Sequence, residues 1–277
     1  ADRGFFNLDL ESRNIVKNSV DLNLSGVDII ESLKYNNNLI FIYSSGYVDF
    51  IKGNRVYSMN LDLTANETIN SAKKNGSNIF ISTSEGVFVV DAENKILIEK
   101  YEYIYNSTKK ISVSFLDFFE DKIYVASGKN IYFSNFNSSN LLDYRSWDEL
   151  SFFNDSIIGS FQIENQIYFY SSNSIFSISG NNMELKIEGD ILSLKFLNNF
   201  LYILYKKDQS TFLSFQDKNS NLVDLKLPQG IQINDFNFYD ENIWLVGNGF
   251  SLYNLNEQIF YSPDNYPVKN INKIYTD

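Results

Sequence analysis

The stretch Asn78-Ile79-Phe80-Ile81-Ser82-Thr83-Ser84-Glu85-Gly86-Val87-Phe88-Val89-Val90-Asp91 decides the fold. Two runs of β-branched and aromatic residues flank a short polar turn that carries a glycine, the pattern of a buried β-hairpin. The same idiom recurs over residues 38–51, 122–135, 166–179, 200–215 and 242–255. The first residues of the six hairpins, Asn38, Asn78, Lys122, Gln166, Phe200 and Asn242, stand 40, 44, 44, 34 and 42 residues apart. That period holds about four strands per unit.

A seventh copy is divided between the ends of the chain. Lys273-Ile274-Tyr275-Thr276-Asp277 matches the first strand of the hairpin, and Arg3-Gly4-Phe5-Phe6-Asn7-Leu8-Asp9 matches the second. Pairing first and last strands in one unit removes the open edge that a sheet otherwise exposes. The expected fold is therefore an all-β, seven-bladed β-propeller closed by a blade shared between the termini, with six or eight blades as the alternatives. It spans residues 1–277 as a single domain, since no composition shift marks a linker. Helix signals are few. Only Asp21 to Lys34 and Asn140 to Leu150 allow a turn or two, and strand is the better reading of the first. The clusters Asn36-Asn37-Asn38, Asn181-Asn182 and Asn198-Asn199 read as hairpin turns, because asparagine tolerates left-handed backbone.

Composition removes chemistries. The 277 residues contain no cysteine and no histidine, so disulfides, thiolate nucleophiles, imidazole bases and imidazole metal ligands are all absent. The formal charge is −11 and the pI about 4.6, which repels a phosphate backbone. The densest basic runs, Lys73-Lys74, Lys109-Lys110 and Lys206-Lys207, are isolated pairs of the kind found on solvated turns, and nucleic acid is not an expected partner. No apolar run reaches the roughly 18 residues of a membrane span. The opening Ala1-Asp2-Arg3-Gly4 fits a removed leader or an excised domain.

Carboxylates are the main catalytic resource left. Asp49, Glu85, Asp91, Asp117, Asp148, Glu149 and Asp235, with the adjacent pairs Glu120-Asp121 and Asp240-Glu241, are the acids to weigh for two-carboxylate glycosidase chemistry. Their repeat-equivalent places before strands mark the adjacent pairs as turn acids. Sialidase chemistry would need convergent arginines and aspartate boxes, whereas the chain has only Arg3, Arg13, Arg55 and Arg145 and no box. Calcium loops, phosphate loops and nucleophile elbows are missing too. Gly247-Asn248-Gly249 reads as a tight turn. No catalytic residue, metal site or cofactor is expected.

Aromatic side chains are abundant, with Phe 24, Tyr 19 and Trp 2. Most alternate within strands, where packing is their role. Two loops carry others, Tyr144-Arg145-Ser146-Trp147 and Tyr261 to Tyr266. The first belongs to the longest insertion, Phe136 to Phe153. Trp, Tyr and Arg are the residues enriched at interface hot spots, so Leu142, Tyr144, Arg145 and Trp147 are the expected binding residues for a protein partner, with carbohydrate as the alternative ligand.

Two resemblances follow from these residues. Ile79 to Asp91, and likewise the two terminal segments, resembles the blade motif of two-component-regulator-type propellers. That resemblance implies an extracytoplasmic sensing or docking module. Asn130-Ile131-Tyr132-Phe133-Ser134-Asn135 followed by Tyr144 to Trp147 resembles a repeat in propeller-bearing tail and nozzle proteins of short-tailed bacteriophages, which implies a virion component. WD, Kelch and quinone-cofactor signatures are absent. The expected function is a non-catalytic protein-interaction, sensing or structural module, extracytoplasmic or virion-associated, with a carbohydrate-active propeller as the alternative.

Overall fold

The structure is a computed structural model. It describes residues 6–9, 14–17 and 23–261 with the exception of 107, 138–139, 152–153, 164–165, 180–181, 198–199, 217–221, 228–232, 240–241, 248–249 and 255–258. Every element in it except one single-turn 3-10 helix is a strand. A hairpin of β1 (Phe6–Asp9) and β2 (Asn14–Lys17) comes first. Sheet I follows, with β3 (Ile29–Tyr35), β4 (Asn38–Tyr43), β5 (Tyr47–Lys52) and β6 (Arg55–Asn60). Sheet II is β7 (Ile69–Asn75), β8 (Asn78–Thr83), β9 (Gly86–Asp91) and β10 (Ile96–Tyr101). Sheet III is β11 (Phe115–Phe119), β12 (Lys122–Ser127), β13 (Asn130–Asn135) and β14 (Asp148–Ser151). Sheet IV is β15 (Gly159–Ile163), β16 (Gln166–Tyr170), β17 (Ser174–Ser179) and β18 (Asn182–Glu188). Sheet V is β19 (Asp190–Leu197), β20 (Phe200–Lys207), β21 (Ser210–Gln216) and β22 (Leu222–Lys226). Sheet VI is β23 (Ile233–Tyr239), β24 (Asn242–Gly247), β25 (Phe250–Asn254) and β26 (Ile259–Tyr261).

In each four-stranded sheet the strands pair in sequence order and antiparallel. The six hairpins expected from sequence are the two middle strands of sheets I to VI. Asp21 to Lys34 yields strand β3, and Asn140 to Leu150 holds the 3-10 turn Tyr144–Ser146. Turn chemistry sets the registers. Asn36, Glu120, Asp208 and Gln209 have φ of 51°, 52°, 49° and 64° in two-residue connections, the left-handed backbone that primed hairpin turns require.

The chain separates into two compact units, residues 1–152 with the N-terminal hairpin and sheets I to III, and residues 153–277 with sheets IV to VI. Within each unit the core lies between consecutive sheets. In sheet II, Phe80 and its cross-strand partner Val89 face a cluster with Leu116, Ile123 and Val125 of sheet III. One residue along, Ile79, Ile81, Phe88 and Val90 face Ile40, Ile42 and Phe50 of sheet I. Both faces of β8 and β9 are covered, so their sequences read as continuous apolar runs. In the second unit Leu201 and Ile203 pack with Ile175 and Ile187 of sheet IV, while Leu204 and Leu213 pack with Phe236 and Leu245 of sheet VI.

Polar ties join first strands of consecutive sheets. Lys73 on β7 pairs with the buried Asp117 on β11. Lys195 on β19 pairs with Asp235 on β23 at 2.8 Å. The expected closing strand Lys273 to Asp277, the residues Arg3 to Phe5, the acids Asp240 and Glu241, Asn248-Gly249 and the loop from 262 to Tyr266 lie outside the described residues.

Candidate functional site

Sheet III presents two sites at opposite ends. In an antiparallel four-stranded sheet the first-to-second and third-to-fourth connections share one end, and the middle turn and the incoming segment share the other. The loop expected from sequence belongs to the first end. It runs from β13 to β14, beside the Glu120-Asp121 turn, to which it is tied by Phe136 N donating to Asp121 O at 2.7 Å and Asn137 Nδ2 donating to Asp121 Oδ1 at 2.8 Å.

That loop divides its four candidate residues. Asp143 caps the 3-10 turn, accepting from Arg145 N at 3.0 Å, and its carboxylate also receives Arg145 Nε and Nη2, the latter at 2.7 Å. Arg145 holds Asp143 below the usual carboxylate range through these bonds. Leu142 is 55% exposed and Tyr144 36%, and the Arg145 side chain is 74% exposed. Trp147 is different. It is 2% exposed, belongs to the core between sheets II and III, meets Tyr101 edge-on at 6.4 Å, and donates Nε1–H to Leu141 O at 3.0 Å. The structure therefore brings Leu142, Tyr144 and Arg145 together at the surface and takes Trp147 inside. The indole is apolar enough to fill the gap at the sheet edge, and its one donor finds a carbonyl six residues back.

The other end holds a groove of about 800 Å³. Its main wall is formed by residues 104–106, 109–112 and 114 of the connection from sheet II to sheet III, the longest between consecutive sheets. The remainder comes from Ser84 in the middle turn of sheet II, Ser127, Gly128 and Asn130 around the middle turn of sheet III, and Tyr132. The connection is pinned from beneath. Ile104 and Val113 are fully buried, Val113 N donates to Thr83 O at 2.8 Å, and Asn70 Nδ2 donates to Val113 O at 2.7 Å.

A charge network holds it from the side. Lys110 Nζ reaches Glu85 Oε2 at 2.9 Å and Glu102 Oε1 at 2.8 Å. Lys100 Nζ joins Glu102 at 3.2 Å to the buried Glu67 at 2.9 Å. Glu67 also accepts the Thr83 hydroxyl at 2.6 Å, and Glu85 that of Thr64 at 3.0 Å. Lys110 is the main reason Glu85 and Glu102 ionise below the ordinary glutamate value of 4.5, and the pair raises Lys110 in return. A depressed carboxylate pKa contributes order above the unfolded value and loses it as pH falls through the folded one. Backbone amides of residues 103–113 are thus expected to exchange faster as pH is lowered below 4.5, after correction for the intrinsic rate, while those of β8 hold. Hydrogen exchange read by mass spectrometry checks this.

Inside the groove, Tyr105 stacks on Tyr132 with centroids 5.4 Å apart and planes at 30°. Tyr132 is fixed by Asn130, whose Nδ2 donates to its hydroxyl at 3.1 Å and to Glu149 Oε1 at 2.8 Å. Burial raises the Tyr132 phenol. Several of the acids weighed for hydrolysis have other engagements. Asp49 accepts Ser25 N and Oγ, Asp91 caps its turn at Glu93 N and Asn94 N, and Asp235 takes Ser193 and Lys195. Among the described residues no three acids gather into a metal-binding group.

The family model for the N-terminal β-propeller domain of PorZ, of the type IX secretion system, matches residues 1–148. The chain belongs to the PorZ N-terminal β-propeller family. The groove and the Leu142–Arg145 turn both fall within the residues that carry the PorZ match. Among solved structures, PorZ of Porphyromonas gingivalis is 12% identical with a TM-score of 0.47, over 88% of this chain and 47% of that one. The chain thus spans about half the length of that protein. The computationally designed Ika8 protein is 10% identical with a TM-score of 0.55, covering 92% of this chain and 80% of its own. A chain of the mitotic checkpoint complex is 12% identical with a TM-score of 0.54, covering 98% and 91%. These two are likenesses of fold alone. No curated protein matches the chain. The match takes in the hairpins at 38–51, 78–91 and 122–135 read from sequence.

Sequence reasoning missed the groove. Lys109-Lys110 looked like a solvated pair, and the partners of Lys110 lie 25 and 8 residues away. One signal was present. The interval of 44 residues from Asn78 to Lys122 exceeds the 40 of the preceding repeat, and the excess falls in residues 102–114.

Proposed function

We propose that this chain is a non-catalytic interaction module of a bacterial surface secretion assembly, working outside the cytoplasm through protein partners. The observation that carries the reading is the family match over residues 1–148. The PorZ protein of known structure is described as an essential bacterial surface component of the type IX secretion system. The docking role implied by the two-component-regulator blade motif agrees with that placement, while nothing in the family match supports a virion. Six four-stranded sheets and one further hairpin among the described residues favour a seven-bladed reading with residues 1–277 as one domain.

The partner surface is the exposed turn of Leu142, Tyr144 and Arg145. It offers an apolar side chain, a ring and a guanidinium on a turn already ordered by its cap and by Ser134 Oγ donating to Ser146 O at 2.6 Å. Little ordering entropy remains to oppose binding there. The triple variant Leu142→Ser, Tyr144→Ser, Arg145→Ser is expected to melt within about 2 °C of the parent and to lose most of the cross-links that the parent forms to other surface proteins in intact cells. An unchanged cross-linking pattern removes this surface. A homogeneous preparation that hydrolyses a polysaccharide at ordinary enzyme rates overturns the non-catalytic reading.

A further inference from the structure

We propose that the groove between sheets II and III is a cleft for an extended, acid-bearing peptide segment of a partner protein, with the Tyr105 ring as its platform and Lys109 as its carboxylate anchor. This rests on the protein-interaction reading above and adds a second contact at the end of sheet III opposite Leu142, Tyr144 and Arg145.

The backbone of Tyr105 is the first ground. Its φ is +64°, left-handed backbone that a bulky residue adopts only against steric cost. It lies between the buried Ile104 and the ion-paired Lys110, and it holds a 46% exposed ring on the groove wall. Local strain of this kind collects at ligand clamps.

The walls supply the second ground. Ser112, Ser114 and Ser127 line the groove, and their hydroxyls have no hydrogen-bond partner among the described residues. Hydroxyls of this kind match the alternating N–H and C=O groups of an extended main chain. A volume of about 800 Å³ suits a short segment and not a folded domain.

Charge is the third. Lys110 and Lys100 are each held between two carboxylates. Lys109 is exposed, lines the groove and has no ion-pair partner among the described residues. An uncompensated cation at a cleft of a chain with formal charge −11 selects a local negative group and favours an acidic peptide over a neutral sugar.

The probe is a displayed library of random heptapeptides selected on the full chain, with a glycan array run in parallel. Selected peptides are expected to be enriched in Asp or Glu next to an aromatic or large apolar residue. A synthetic copy should bind at least about tenfold more weakly to Lys109→Glu and to Tyr105→Asn, the losses typical of anchor residues. Asn accepts the left-handed backbone, so Tyr105→Asn should melt within about 2 °C of the parent. The Leu142, Tyr144, Arg145 triple variant should bind the peptide as the parent does. Selection that is no stronger than on Lys109→Glu, or peptides without acids, overturns the cleft. Neutral glycans that bind through Tyr105 while peptides do not reassign it to carbohydrate and overturn it equally. Either failure leaves the cross-linking result at the other end of sheet III to stand or fall separately.

Discussion

Trp147→Ala is expected to lower the unfolding free energy by about 3–5 kcal/mol, the range for truncating a buried large aromatic. The indole is 2% exposed, sits with Tyr101, Leu141 and Leu116 between sheets II and III, and satisfies its donor on Leu141 O. Truncation leaves a cavity at the outer edge of that interface and an unpaired carbonyl in the β13–β14 loop. Equilibrium urea unfolding of the parent and variant measures the loss. A drop under 1 kcal/mol would mean that the indole is not a core residue and would return it to the list of surface contacts. Trp147→Phe should recover more than half of the loss, because area is regained and only the hydrogen bond is missing.

Gly86→Ala carries the second large effect. Gly86 has φ +127°, and a Cβ placed on it would lie 2.1 Å from Tyr101 O, with Glu102 Cα at 3.1 Å. The outer strand β10 approaches the start of β9 so closely that only hydrogen fits. The substitution combines a backbone conformation closed to side chains with a clash against main chain, and about 3 kcal/mol or more is expected. Since Tyr101 and Glu102 are where the groove connection begins, its amides should also lose protection from exchange. Gly128→Ala is the control. It too has positive φ, at +57°, but nothing lies within 4 Å of the added carbon, so about 1 kcal/mol suffices. Equal losses at the two glycines would mean that strain alone, without the clash, sets the cost.

The hairpins were legible because their cause is local. Unbroken apolar runs that cover both faces of β8 and β9, and Asn, Asp or Gly where the chain must turn left-handed, are written in neighbouring residues. The loop proposed as a partner surface was half legible. Trp, Tyr and Arg together marked it, yet the same mark fits a core tryptophan. Which of Tyr144 and Trp147 turns inward depends on Tyr101, 46 residues before the tryptophan. The groove was the least legible, since Lys110 acquires its meaning from Glu85 and Glu102, and Tyr105 from Tyr132, across two sheets.

By itself the sequence determined the all-β class, the six hairpins, and the absence of thiol and imidazole chemistry, because each depends on residue type or on spacing along one strand pair. Only the tertiary structure decided that Trp147 is core, that Asp117 and Asp235 tie adjacent sheets through Lys73 and Lys195, and that residues 104–106, 109–112 and 114 wall a groove. Those outcomes depend on which faces meet. Burial, ion pairing and cavity shape are properties of residues brought together from separate repeats, and no pattern within one repeat contains them.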